Sequence, residues 1–507
     1  MRTKKAIINV SSALASNFIN IIIGFILQSV FIKTLGDEYL GLNGLFFNIV
    51  SMLSIAELGL SSAIIYKLYK PIAEKDNEQI KSLMHFYKTS YRVIAIVVFI
   101  IGLLIVPFIN DLIGPNSIKD NIIIIYLIFL TDAVCSYLLT YKRSILIADQ
   151  KTYYINLIHI LYLIILNVIN IIILLVFKNY YLFLLVKVIM RIIENIVISL
   201  LANKLYPFLK DKNIKQLEKT TVKDIISKIK ALFLHKIAGF VVKSTDNILI
   251  TKIFGLVFVG LYSNYNLIIN SLNTLIIQMF SVITSSVGNL LVSESKQIQF
   301  DNYKNIQFIN NWIACFTSTC LFVIIDSFVV IWIGEKYVID FNVLIALIIS
   351  HYLFIIRCTP STFKEAAGIF YEDRYIPILE ASINLILSIV FANLFGLVGI
   401  FIGTICSQLL LHLYSYPKYV YKKILNGKYS EYLKHFLKYF VTFLFCITIT
   451  YKISTLIVFK NLYYELLKNI LLSLVLPNII FILINFRTKQ LKYWFRLVCN
   501  FKKNIKQ

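Results

Sequence analysis

INLIHILYLIILNVINIIILLVF, residues 155–177, holds no acidic or basic side chain other than His159, and after Lys178-Asn179 a second apolar run begins at once, YYLFLLVKVIMRIIENIVISLLA, residues 180–202. A bilayer core about 30 Å thick takes about 20 helical residues, so each run is long enough to cross it. Lipid offers no partner to an open backbone, and neither run alternates polar with apolar residues as a barrel strand does. Both therefore read as membrane-spanning helices. The second differs in carrying Lys187, Arg191 and Glu194 inside it.

Outward from this pair the pattern repeats. Apolar runs occur at 10–32, 40–65, 93–110, 121–141, 155–177, 180–202, 232–251, 257–292, 308–333, 339–356, 376–394, 397–416, 439–458 and 469–486. The expected fold is an all-α integral membrane protein of about fourteen transmembrane helices. Of the 507 residues 59% are hydrophobic and 15% charged, against about 45–50% apolar in an ordinary soluble domain. The run 257–292 is too long for one span and should tilt or project. Met1-Arg2-Thr3-Lys4-Lys5 before the first run resembles a signal peptide, but no polar domain follows, so that run is expected to be a retained helix.

The net charge of +24 would suggest nucleic-acid binding in a soluble protein. Here the cations fall in alternate loops. Segments 1–9, 66–92, 142–154, 203–231, 293–307, 357–375, 417–438 and 487–507 hold 38 of the 50 Lys and Arg residues. The positive-inside rule puts these segments, and both termini, in the cytoplasm. The expected location is a bacterial cytoplasmic (inner) membrane, with membrane lipids as partners and no nucleic acid. The basic loop 203–231 divides the chain into spans 1–6 (1–202) and spans 7–12 (232–416), followed by spans 13–14 (417–486) and a tail (487–507). Anionic headgroups suit such a loop.

A motif recurs across that division. Lys33-Thr34-Leu35-Gly36 and then Gly41-Leu42 join spans 1 and 2, and Lys252-Ile253-Phe254-Gly255 and then Gly260-Leu261 join spans 7 and 8. Glycine there would permit a tight turn and close approach of helix backbones. A duplication of six spans in one orientation is the parallel-repeat plan of transporters, with a site between the repeats.

Ionisable groups inside lipid cost about 2.5–3.5 kcal/mol each and call for a reason. Those at depth are Glu57, Asp132, Lys187, Arg191, Glu194, Lys236, Lys243 and Asp246. Lys187 and Arg191, four apart, share a helix face; Arg191 with Glu194 and Lys243 with Asp246 are spaced to pair. Two readings stand: pairs that neutralise each other and hold helices together, or a cationic cavity for an anionic substrate group. Arg357 is expected to snorkel, and Asp326, Lys452 and Glu380 to be solvated. The seven cysteines read as small buried residues, and no cofactor or metal is implied. The chain lacks a P-loop, a dinucleotide fingerprint and an HExxH helix, so it reads as no enzyme, and any work comes from a gradient or a partner.

The stretch Gly36, Tyr39, Leu40, Gly41, Leu42 with Glu57-Leu58-Gly59-Leu60-Ser61-Ser62-Ala63 resembles the second-span region of Wzx-type polysaccharide repeat-unit flippases. So do Asp246-Asn247-Ile248 with Gly255, Gly260, Leu261, Tyr262 and Ser263, and Phe395-Gly396-Leu397-Val398-Gly399-Ile400. That resemblance implies the multidrug/oligosaccharidyl-lipid/polysaccharide exporter superfamily: two six-helix lobes in a V plus two C-terminal helices. It implies alternating access and an undecaprenyl-diphosphate-linked oligosaccharide as substrate, for capsule, exopolysaccharide or O-antigen. Polysaccharide polymerase and chain-length proteins are the implied partners. Relatives that move peptidoglycan precursor carry arginines in their first two spans, which this chain lacks. On this reading Lys243, Arg191 and Lys187 bind the diphosphate, and Asp246 or Glu57 weakens the grip or carries a coupling proton. A drug/cation antiporter of the same superfamily and a membrane glycosyl polymerase are the alternatives.

Overall fold

The computed structural model describes residues 2–53, 57, 60–211, 214–223, 225–226, 245–369 and 372–505. Among them there is no strand. Ten helices are long and apolar enough to cross a membrane, eleven if one bent pair counts as a span, and the chain is a multi-pass membrane protein.

Thirteen of the fourteen apolar runs coincide with described helices. They are α1 (Arg2–Leu35), α2 (Asp37–Leu53) with α3 (Leu60–Glu74), α4 (Asn77–Ile105), and the bent pair α5 (Ile122–Tyr137) and α6 (Tyr141–Ala148). Next come α7 (Thr152–Ile172) and α8 (Tyr180–Leu205), then α9 (Leu256–Ser293), α10 (Lys296–Ile333) and α11 (Phe341–Ile356). The last are α12 (Ile376–Phe395), α13 (Leu397–Leu410), α14 (Tyr429–Leu456) and α15 (Leu462–Asn485), with α16 (Lys489–Ile505) as a tail helix. The seventh run, 232–251, lies mostly outside the described residues, which show only its helical end at 245–254. α2 and α8 belong to expected spans but fall short of the ten, α2 through its 17-residue length and α8 through its three charges. The expected excess length of 257–292 is present: α9 and α10 are each 38 residues, about 57 Å at 1.5 Å per residue.

The chain forms two compact units, residues 1–263 and 264–507. In the first, the two glycine motifs meet. Gly36 and Gly255 both turn at positive φ, 89° and 93°. A Cβ on Gly41 would fall inside the carbonyl oxygen of Leu256, and one on Gly260 would lie 2.5 Å from that of Asp37. Each glycine therefore lets the other's helix in, and the contact is reciprocal. At the same end Glu38 takes both the backbone N–H and the hydroxyl of Ser117, at 2.8 and 2.7 Å. Tyr39 donates to Asp120 at 3.0 Å, and burial together with that carboxylate pushes its phenol up to about 12.

The second unit is held by amides and hydroxyls. Asn384 of α12 donates to Thr404 of α13 at 3.0 Å, Ser388 to the Ile400 carbonyl at 2.9 Å, and Gln408 to Ser350 of α11 at 3.1 Å. All but Ser350 are buried. His412 lies 3.1 Å from the Tyr432 hydroxyl and 3.2 Å from the Leu353 carbonyl. Three expectations are corrected here. Glu380 is buried, not solvated, and Arg357 reaches it at 3.4 Å instead of snorkelling. Asp326 accepts from the Tyr265 hydroxyl at 2.5 Å. In each case the carboxylate's withdrawal from water requires a partner, and a neighbouring helix supplies it.

Candidate functional site

Four-residue spacing stacks Lys187 and Arg191 on one side of α8. That side meets α5 at Asp132. Arg191 donates from Nε to Asp132 Oδ1 at 2.7 Å and from Nη2 to Oδ2 at 3.4 Å, and Lys187 Nζ lies 3.8 Å from Oδ2. Lys187 also lies 5.4 Å from the Phe129 ring centre. Two cations thus share one carboxylate, leaving a local charge of +1. The side chains of Arg191 and Lys187 stay 27% and 26% exposed, so the cluster is shielded but reachable.

Glu194, one turn along, does not pair with Arg191. Its carboxylate is 1% exposed and is held by His159 Nδ1 of α7 at 2.9 Å and Arg143 Nη2 of α6 at 3.1 Å. Arg143 also donates to Asn195 at 3.0 Å, and Asn195 donates to the Cys135 carbonyl at 3.1 Å. This second cluster ties α5, α6, α7 and α8 together. In the sequence Arg143 reads as a loop cation and His159 as an isolated histidine. Their only signal was proximity to Glu194, which needs the fold.

Of the other expected site residues, Lys243 lies outside the described residues, as does Lys236. Asp246 is buried in the helical segment 245–254. Glu57 accepts from the Tyr91 hydroxyl, which itself accepts from Tyr87 at 3.0 Å. Among the described residues no three histidine, cysteine or carboxylate side chains converge as a metal ion would need.

The arrangement can attract an anion. Arg191 has five N–H donors, of which Asp132 occupies two, and Lys187 has three. Any anion entering here would have to compete with Asp132 for both cations.

Compared by sequence, the chain matches no protein-family model and no curated protein. Compared by structure, it resembles a lipid II flippase, MurJ, in an inward closed conformation, with a TM-score of 0.66 and 16% identity over 94% of this chain and 99% of that one. It also resembles an inward-facing multidrug resistance MATE family transporter of the MOP superfamily (TM-score 0.60, 15% identity, 80% of this chain and 95% of that one). A variant of the Vibrio cholerae MATE transporter VcmN gives a TM-score of 0.59 at 16% identity over 83% and 98%. The chain thus has the fold of MOP-superfamily transporters.

Proposed function

We propose that this protein is a flippase that moves undecaprenyl-diphosphate-linked oligosaccharide repeat units across the bacterial cytoplasmic membrane by alternating access, for surface polysaccharide assembly. The observation that carries the reading is the Lys187–Arg191–Asp132 cluster: two reachable cations at membrane depth on one acid, within a fold shared with a lipid flippase. A diphosphate cannot enter hydrocarbon without counter-charge. Arg191 and Lys187 supply it, with Lys243 from span 7 as a third cation, and the prenyl tail stays in lipid. Asp132 reclaims Arg191 as the diphosphate leaves, which keeps the grip weak enough for turnover. Asp246 and Glu57 are the candidate acids for a coupling proton. The basic loops face the cytoplasm, where the substrate is built, and a polymerase and chain-length proteins would act on it outside.

The test is translocation of lipid-linked oligosaccharide in cells at matched expression. Arg191→Ala with Lys243→Ala should lower it at least tenfold, and full activity in the double variant would remove the cation mechanism. The likeness to MATE transporters favours a second reading, antiport of organic cations against Asp132 and Glu57. Ethidium efflux without any effect on surface polysaccharide would select it.

A further inference from the structure

A cleft of about 310 Å³ opens in the first unit where α5 breaks from α6. The two helices differ in direction by 44°. The break runs through Leu138, in extended conformation, and Leu139, at a φ of 64°. Such a left-handed leucine is uncommon and persists only where its surroundings hold it. Leu138 and Leu139 line the cleft together with Ile192, Asn195 and Ile196 of α8 and with Tyr91, Tyr137 and Tyr141. The volume is at the lower end of the roughly 300–1,000 Å³ of small-ligand sites.

Lys88 and Arg92 of α4 stand at this cleft. They are four residues apart and so share a helix face. Arg191, Lys187 and Arg143 of this unit each have an acid partner. Lys88 and Arg92 have none among the described residues, whereas Asp132 is taken by Arg191 and Glu194 by Arg143 and His159. Glu57 accepts from the hydroxyl of the lining residue Tyr91. Positive charge accumulates around the mouth: Lys142 of α6 lies close enough to Lys88 and Lys210 to feel their charge, and it donates to Asn203 at 2.8 Å, not to an acid. The lining is otherwise largely apolar and reaches the surface of the helix bundle, with Leu138, Ile192 and Ile196 each more than a third exposed. A cationic mouth continuous with an exposed apolar lining matches an amphiphile with an anionic head. Arg and Lys together recognise phosphate by fork and by point charge, and basic pockets between spans are known headgroup sites.

We propose that this cleft, framed by Lys88, Arg92, Tyr141 and the α5–α6 break, is a binding site for a phosphate-headed lipid on the side of the membrane that carries the basic loops. The inference stands apart from the transport reading, because it concerns binding alone. If a polyprenyl diphosphate is the preferred occupant, the cleft is a docking site for the lipid carrier. If phosphatidylglycerol is preferred, it is a site for a resident bilayer lipid.

Full-length protein in neutral detergent would be titrated with undecaprenyl diphosphate, phosphatidylglycerol and phosphatidylcholine, with native mass spectrometry counting the retained lipid. The expected result is that Lys88→Ala with Arg92→Ala weakens binding of the anionic lipids at least tenfold, that Lys88→Arg with Arg92→Lys restores it, and that Lys418→Ala leaves it unchanged. Tighter binding of undecaprenyl diphosphate than of phosphatidylglycerol supports the carrier as occupant, and equal or reversed preference supports the bilayer lipid. Equal binding by wild type and the double alanine variant would overturn the proposal. So would a loss just as large in Lys418→Ala. Because translocation is not measured, failure here leaves the transport reading untouched, and the reverse also holds.

Discussion

The two units bury polarity in different forms. The first buries charge: Asp132, Lys187 and Arg191 in one cluster, and Glu194, Arg143 and His159 in another. The second joins α11, α12 and α13 through neutral groups, Asn384, Ser388, Thr404 and Gln408, and keeps its buried charge as separate ion pairs, Arg357–Glu380 and Lys364–Asp373. Neutral hydrogen bonds between helices serve packing, and each contributes modestly. Buried ions are poor glue, since desolvation consumes most of their attraction. The units therefore differ in how charge is grouped: the first gathers it into clusters of three, the form on which the proposed anion site draws, while these buried ions of the second stand as single pairs.

The sharpest way to break this contrast is to orphan a charge. Asp132→Ala leaves Arg191 and Lys187 without their acid, and a loss of about 3–5 kcal/mol is expected, as for other broken buried pairs. It would be read as a fall in the temperature at which the detergent-solubilised protein aggregates. Next in size is the helix crossing in the first unit. Gly41→Leu forces a side chain into the Leu256 carbonyl, and overpacking of this kind costs about 1–3 kcal/mol on the same readout, with Gly260→Leu expected to match it. In the second unit Asn384→Ala should lose only about 1 kcal/mol, the worth of one neutral hydrogen bond. If it destabilises as much as Asp132→Ala, the contrast between clustered charge and neutral hydrogen bonds fails.

The smallest effect is expected at an exposed pair of the second unit. Lys423 donates to Glu372 at 2.6 Å, and that bond holds the Glu372 carboxyl below its ordinary range. A depressed carboxyl stabilises the fold above the unfolded value, near 4.3, and loses its contribution as pH falls through the lower folded value. Exposure limits the contribution to less than about 0.5 kcal/mol. Stability curves of wild type and Lys423→Ala should therefore differ slightly at pH 7 and converge below pH 4.

What could be read from the sequence follows from the range over which each feature is determined. The spans were legible because hydrophobic length is a local property, and the 44° break is the counter-example. Tyr137-Leu138-Leu139-Thr140 contains neither glycine nor proline, so nothing local marks the bend, and packing across the unit must impose it. The charged positions were legible one by one. Their partners were not, because Arg191 meets Asp132 from another helix, and that depends on rotational phase and depth, which no spacing within α8 encodes. Spacing favoured Glu194 for Arg191, and the structure gives Glu194 to Arg143 and His159. The glycine motifs were legible as a repeat, but not as surfaces that touch each other.

That mutual contact constrains history as well as shape. Two like segments are normally free to drift apart, since each answers to its own surroundings. Here Gly41 and Gly260 answer to one another, so a bulkier residue at either is felt at the other. Descendants of such a gene should change the two positions together or leave both alone.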